Sequence, residues 1–147
     1  MVRRHRLIET FLVEVLHYRW DQVHDEAEHL EHAVSDMMVD RLDELLGYPD
    51  RDPHGDPIPA PTGSIKHPDA VPLSEVPHGI IAKVERISDA DPGFLQYLAE
   101  QEIGVGARLK VEAGAPFSDS IEICNELRSG AVTLGRTASD AIWVSVV

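Results

Sequence analysis

The sequence predicts an α+β chain, three helices followed by a small barrel of short strands. Three observations carry that reading. Apolar residues recur at helical spacing as far as Leu46, the pattern then lapses in a stretch holding most of the ten prolines, and beyond it short apolar alternations are separated by glycine turns. At 147 residues the chain has room for one ordinary domain or two small ones.

In the first part, Leu7, Ile8, Phe11, Leu12, Val15 and Leu16 share a helix face that ends before His-Tyr-Arg-Trp-Asp. A second helix is expected with Asp21 near its N-cap, burying Val23, Ala27, Leu30 and Val34. Trp20, beside that cap, reads as an aromatic anchor for helix packing and also fits a hydrophobic staple. Ser35 and Asp36 start a third helix carrying Met37, Met38, Val39, Leu42, Leu45 and Leu46, which Gly47 and Pro49 stop. From about Tyr48 to Pro72 an extended, partly mobile connector is expected, in which His54 and Gly55 form a turn. Strand-like segments then run from Gly79 to Val84, Arg108 to Val111, Ser120 to Ile123, Ala131 to Leu134 and Ala141 to Val147, with a short helix from Phe94 to Glu100.

Charge and cysteine content exclude several classes of function. Acidic residues outnumber basic ones 26 to 13, for a net charge of −13, so the chain repels phosphate backbones and is a poor direct grip on nucleic acid. Carboxylates in this excess fit a solvated surface, a cation-binding protein, or both. Cys124 is alone, which rules out an internal disulfide or a CxxC motif; it reads as a small core residue. No secretory signal is recognisable, and no apolar run reaches the ~18 residues of a membrane span. The expected compartment is the cytoplasm.

The chemistry concentrates in His24 to His32, HDEAEHLEH. At ~100° per residue, His24, Glu28, Glu31 and His32 fall within an arc of roughly 100° beside the apolar face, while Glu26 and His29 point elsewhere. His5 and Glu9 are one turn apart on the first helix. Packing the two helices together would bring six nitrogen and oxygen donors to one seam, a set suited to a divalent transition metal. The same spacing also suits a solvated helix face, and spacing alone leaves both readings open. The other histidines, His17, His29, His67 and His78, lack partners at ligand spacing and read as surface residues.

VRRHRLIETFL, VHDEAEHLEHAVSD and DPHGDPIP, in this order and at these spacings, resemble the diphtheria toxin repressor and manganese transport regulator family of metal-dependent transcriptional repressors. The likeness runs from residue 2 to about 60, and residues 72–147 resemble that family's SH3-like, FeoA-type domain. The resemblance implies a helical dimerisation and metal-binding domain over residues 1–50, a Pro-rich linker over 51–71 and the SH3-like domain over 72–147. Family members also carry an N-terminal winged-helix domain that is not in this sequence, so operator DNA is expected to be reached only through such a domain.

Carried over residue by residue, the resemblance makes His5, Glu9 and His24 one metal site and assigns Glu28, Glu31 and His32 to a second. Iron-dependent members usually have cysteine where Glu28 stands, and manganese regulators have glutamate. Mn²⁺ is therefore the expected metal, with Fe²⁺ as the other physiological candidate and other divalent ions substituting in vitro. Exchange of a soft thiolate for a hard carboxylate points the same way. In the loop from Ser88 to Gly93, where iron-dependent members place further ligands, Asp89 and Asp91 are the candidates, and either could equally cap the helix that follows. Leu30, Val34, Met37, Met38, Leu42, Leu45 and Leu46 are more apolar positions than three helices can hide, and the resemblance implies that part of that surface forms a homodimer interface.

The expected function is thus metal sensing and dimerisation in a manganese- or iron-responsive repressor, not catalysis. A metallohydrolase would need an HExxH motif or a separate base, and neither is present. The alternative is a metal-independent SH3-like adaptor, for which Phe94, Tyr97, Phe117 and Trp143 make a sparse aromatic groove. Because His5 and His24 bind metal as neutral rings, affinity is expected to fall as pH drops through ~6.5.

Overall fold

Leu7, Ile8 and Leu12 fall on one side of a helix, α1 (Val2–Glu14), and all three are buried in a computed structural model of the chain. The structure describes residues 2–65 and 69–147; His67 lies outside the described residues. The chain divides into two units, Met1–Pro68 and Asp69–Val147.

In the first unit α1 ends at Glu14, two residues before the expected end at Leu16, so Val15 and Leu16 lie in the turn and are exposed rather than on the buried face. Tyr18 N–H donates to the Leu12 carbonyl at 2.9 Å and His17 takes a left-handed φ of 62°, which turns the chain away from the helix. The second helix, α2 (Val23–Glu31), has Gln22 rather than Asp21 at its N-cap, with no side-chain cap. Gln22 is already in helical conformation, led in by its N–H bond to the Arg19 carbonyl, and Asp21 pairs with Arg19 instead. The third helix, α3 (Asp36–Leu45), is capped by Ser35, whose Oγ accepts from Met38 N–H at 3.1 Å.

Ile8, Leu12, Val23, Ala27 and Leu42 form the core shared by the three helices, with Phe11, Tyr18, Leu30 and Val34 packed around it. Arg4 ties the turn between α2 and α3 to α1: its guanidinium donates to the carbonyls of Glu31 and Val34 and to the Asp36 carboxylate. Arg3 donates to the buried Asp43 at 2.9 Å. Val39 and Leu42 face inward from α3, whereas Met37 and Leu45 stay 72% and 64% exposed.

The stretch expected to be an extended connector is packed over Asp52 to Pro59. Asp52 Oδ1 accepts from the N–H groups of His54 and Asp56, both at 2.9 Å, and Asp52 N–H donates back to the Asp56 carbonyl. Gly55 supplies the left-handed φ of 86° that this turn needs. Arg6 on α1 donates to the Pro57 carbonyl, and Asp52, His54, Gly55, Pro57 and Pro59 are all buried.

The second unit is a six-stranded antiparallel sheet in the order β1-β6-β2-β3-β4-β5. Its strands are β1 (Val71–Pro72), β2 (Ile81–Ile87), β3 (Arg108–Ala113), β4 (Ile121–Asn125), β5 (Ala131–Leu134) and β6 (Ile142–Val146). The helix α4 (Pro92–Glu100) follows β2, and a one-turn helix, α5 (Arg136–Asp140), precedes β6. Ala82, Val84, Leu109, Val111, Ile123 and Val144 alternate inward, joined by Leu95 and Leu98 of α4. The sequence pattern misses β1 and α5, each too short to show a period. Cys124 is half-buried, not a core residue, because it alternates with Ile123 onto the other face of β4.

Candidate metal centre

The seam between α1 and α2 carries the donors. Ala27, fully buried, lets the two helices approach closely, and that approach brings donor atoms of His5, Glu9 and His24 within 4.8 Å of one another. The rings of His5 and His24 meet edge to face, 5.0 Å between centroids. His5 Nε2 is 3.4 Å from Glu9 Oε1.

Glu9 sets the electrostatics. It is only 1% exposed, and its Oε2 has no hydrogen-bond partner among the described residues. A buried carboxylate oxygen without a donor is costly unless a cation is nearby. In this structure the charge is balanced by His5, which sits between two carboxylates: Nε2 faces Glu9, and Nδ1 lies 2.9 Å from Glu31 Oε2. Glu9 first, with Glu31 adding to it, pushes His5 up to about 9 against the opposing effect of burial. A proton on His5 thus occupies the position where the donor set suits a divalent ion, and this chemistry of imidazoles around an under-satisfied carboxylate fits such an ion.

Glu31 is brought to His5 rather than only to the other residues of its expected set. Accepting from His5 Nδ1–H, it turns Nε2 toward Glu9, as a carboxylate does behind a metal-bound histidine. Its other oxygen is 3.6 Å from Nε2 of His32, which is exposed at the C-terminal end of α2. Glu28 leans back on His24, Oε1 to Nε2 at 3.3 Å, and both are exposed; with Asp25 they make a further donor group at the surface. His24 therefore stands between the buried cluster and an open one.

In the second unit, Asp91 caps α4, its Oδ1 accepting from Gly93 N–H at 2.9 Å, and is exposed. Asp89 is half-buried in the loop between β2 and α4.

Sequence reasoning missed the involvement of His54. It is completely buried, its ring stacked on Trp20 with centroids 5.9 Å apart, and its Nδ1 is 3.9 Å from Glu9 Oε2. Trp20 thus packs on an imidazole. Ionisable residues at alternate positions, Asp52, His54 and Asp56, in a proline-stiffened stretch were the available signal. Burial also pushes Asp52 up to about 8, helped by the charges of Asp56 and Glu9 and opposed by its two backbone donors.

A helical unit with a buried carboxylate between imidazoles has the donor set of a metal-binding protein. Residues 1–60 match the family described as iron dependent repressor, metal binding and dimerisation domain, and residues 71–146 match the FeoA domain. The iron-dependent repressor IdeR of Mycobacterium leprae is 33% identical over 125 residues, covering 76% of this chain and 54% of the relative. The diphtheria toxin repressor of Corynebacterium diphtheriae is 30% identical over 121 residues, with the same coverage of 76% and 54%. Among solved structures, a manganese-dependent transcriptional repressor in complex with manganese superimposes with a TM-score of 0.94 at 51% identity, covering 99% of this chain and 69% of that one. ScaR with bound Cd²⁺ gives 0.83 at 34%, covering 99% and 68%. The chain belongs to the diphtheria toxin repressor and manganese transport regulator family of metal-dependent transcriptional repressors, and carries its metal-binding and dimerisation domain followed by a FeoA domain. It spans about half the length of the curated relatives it matches. Among the described residues no helix is long and apolar enough to cross a membrane.

Proposed function

We propose that this chain is the metal-sensing and dimerisation portion of a manganese-responsive repressor, with His5, Glu9 and His24 as ligands of one ion. The observation that carries this reading is Glu9, buried to 1% with one oxygen lacking a hydrogen-bond donor and the other facing His5. When bound, a divalent cation supplies positive charge that the buried carboxylate lacks and gives α1 and α2 a common anchor. Nε2 of His5, with Nδ1–H held on Glu31, the carboxylate of Glu9 and the ring of His24 would hold the ion.

Mn²⁺ is favoured over Fe²⁺ by Glu28, an oxygen donor with no thiolate beside it, and by the likeness to a repressor described as manganese-dependent. Glu28, Glu31 and His32 make the protein side of a second site, with Glu31 shared through its contact to His5. The exposed apolar side chains of α3, Met37 and Leu45 above all, support a homodimer through that helix. In a protein that also carries a DNA-binding domain, ordering of α1 and α2 would bias a conformational equilibrium toward operator binding in the cytoplasm. The role is sensing, not catalysis.

Calorimetric titration with Mn²⁺ tests the reading. The His5→Ala, His24→Ala double variant is expected to lose affinity at least about a hundredfold relative to the parent chain. Parent-like affinity in that variant overturns the assignment.

A further inference from the structure

The outward face of the sheet in the second unit carries charges of both signs, and they are segregated. On β3, Leu109 and Val111 are buried, so Arg108, Lys110 and Glu112 share the opposite, outward side. At about 3.3 Å per residue, the charge along the strand changes sign within roughly 13 Å. The neighbouring strands extend both ends. Lys83 on β2 stands directly opposite Arg108, and Glu122 on β4 stands directly opposite Glu112. Midway between these pairs, Lys110 is flanked by Ile81 and Cys124, its direct partners on β2 and β4.

Like charges directly opposite one another on adjacent strands destabilise a sheet. This face holds two such pairs, one of each sign. Among the described residues, Lys83, Arg108 and Glu122 make no ion pair. Lys110 reaches Glu112 at 3.3 Å with the two side chains 52% and 42% exposed, a surface pair that offsets little and that draws Lys110 away from the central row. A polyanion would meet the net charge of −13 and the acidic end of this same face. A second copy answers both signs at once. A two-fold axis in the contact plane, close to the row of Ile81, Lys110 and Cys124, lays the basic pair of one copy on the acidic pair of the other, twice over. Stacked sheets lie about 10 Å apart, so Cys124, near that axis, comes close to its counterpart.

We propose that the outward face of β2, β3 and β4 is a self-complementary docking surface for a second copy of this chain, with Lys83 and Arg108 of one copy against Glu112 and Glu122 of the other. The contact is distinct from association through α3 and does not rest on the metal reading. Its charges are exposed and therefore screened by salt. It belongs to concentrated protein at low ionic strength; at ~1 M salt the Debye length is about 3 Å, and association through α3 alone remains.

Cys124 is the only cysteine in the chain, so cross-linking with a short bismaleimide reports the contact. In low salt the parent chain is expected to give a covalent pair whose yield falls as salt is raised. Lys83→Glu with Arg108→Glu turns the basic pair acidic, and Glu112→Lys with Glu122→Lys turns the acidic pair basic. Each variant alone should lose at least about tenfold in yield, because like charges then face one another. An equimolar mixture of the two should recover it, as should one chain carrying all four reversals. Sedimentation of concentrated protein in the same buffers, where the low-salt mass should be twice the high-salt mass, gives the same reading without the thiol. Parent-like yield in either variant, or a parent mass and yield indifferent to salt, overturns the proposal. Failure of both the mixture and the four-reversal chain overturns it too. Binding of a DNA duplex by the parent chain with no pairing of copies assigns the face to a polyanion and likewise overturns it.

Discussion

Glu9 and His5 stand one turn apart on α1 with Oε1 and Nε2 separated by 3.4 Å, and the carboxylate is the buried member of the pair. An imidazole at that spacing on an exposed helix is an ordinary i, i+4 contact. Burial of the partner makes it a strong proton site, with His5 pushed up to about 9.

Glu9→Gln keeps the shape of the side chain and removes its charge. With Mn²⁺ at a hundredfold excess over the dissociation constant, the parent chain should gain about 2.7 kcal/mol of stability. Thermal melts of the variant should show no such gain. A metal-dependent rise of parental size in Glu9→Gln would contradict the role given to this residue.

The pH dependence follows from His5. Its folded pKa, about 9, is above the ordinary imidazole value of 6.5, so between these limits the folded state binds more protons than the unfolded one. This contribution to stability of the metal-free chain is fully present below pH 6.5 and is lost as pH rises through about 9. Urea midpoints should fall across that window, and His5→Gln should flatten the fall. Apparent Mn²⁺ affinity should rise over the same interval as the competing proton leaves, higher than the ~6.5 expected from an unperturbed histidine.

Asp52 titrates in the same direction over a lower window. Its folded pKa of about 8 lies above the ordinary 3.8, so stability falls as pH rises from about 4 to 8 and the carboxylate charges within the turn. Asp52→Asn retains an acceptor for the N–H groups of His54 and Asp56. The metal-free variant should gain about 1–2 kcal/mol at pH 8 in denaturant titrations. No gain at pH 8 would mean that Asp52 is not held up by burial.

Ala27 sets the distance between the ligand helices. Ala27→Leu inserts three heavy atoms into a fully buried seam and should cost about 1–3 kcal/mol. By pushing His24 away from His5 it should also weaken Mn²⁺ binding, roughly ten- to a hundredfold by calorimetry. Unchanged affinity would show that the α1–α2 spacing does not govern the site.

The exposed apolar face of α3 predicts association. Met37→Glu with Leu45→Glu places two charges on that face without touching Val39 or Leu42, which pack inward. Sedimentation should give the 16.3 kDa single chain for the variant and twice that for the parent. Two charges on a face that does not associate would leave the mass unchanged.

Most helices and strands, and the alignment of His5 with Glu9 on α1, were legible in the letters because they rest on regular periods, whereas the grouping of His24 with them came from the family resemblance. A 3.6-residue repeat puts Leu7, Ile8 and Leu12 inward and, one step around, lines up His5 with Glu9. Alternation did the same for β3 and β4. Elements without a period escaped: the two-residue β1, the single turn α5, and the N-cap at Gln22, where backbone already in helical conformation made the Asp21 acceptor unnecessary.

The Asp52–Asp56 turn is the instructive case. Its prolines and glycine predict a bend, but nothing local says that the bend is buried, because burial depends on which surface it meets. Only tertiary packing decided that Arg6 and Trp20 hold it, that His54 points at the second oxygen of Glu9, and that Glu31 turns to His5. The residue types and their helical spacing determined that His5 and Glu9, and His24 and Glu28, each share a helix side. Which oxygen faces which imbidazole partner is a matter of contacts between segments far apart in sequence, and those distances have no period to be read from.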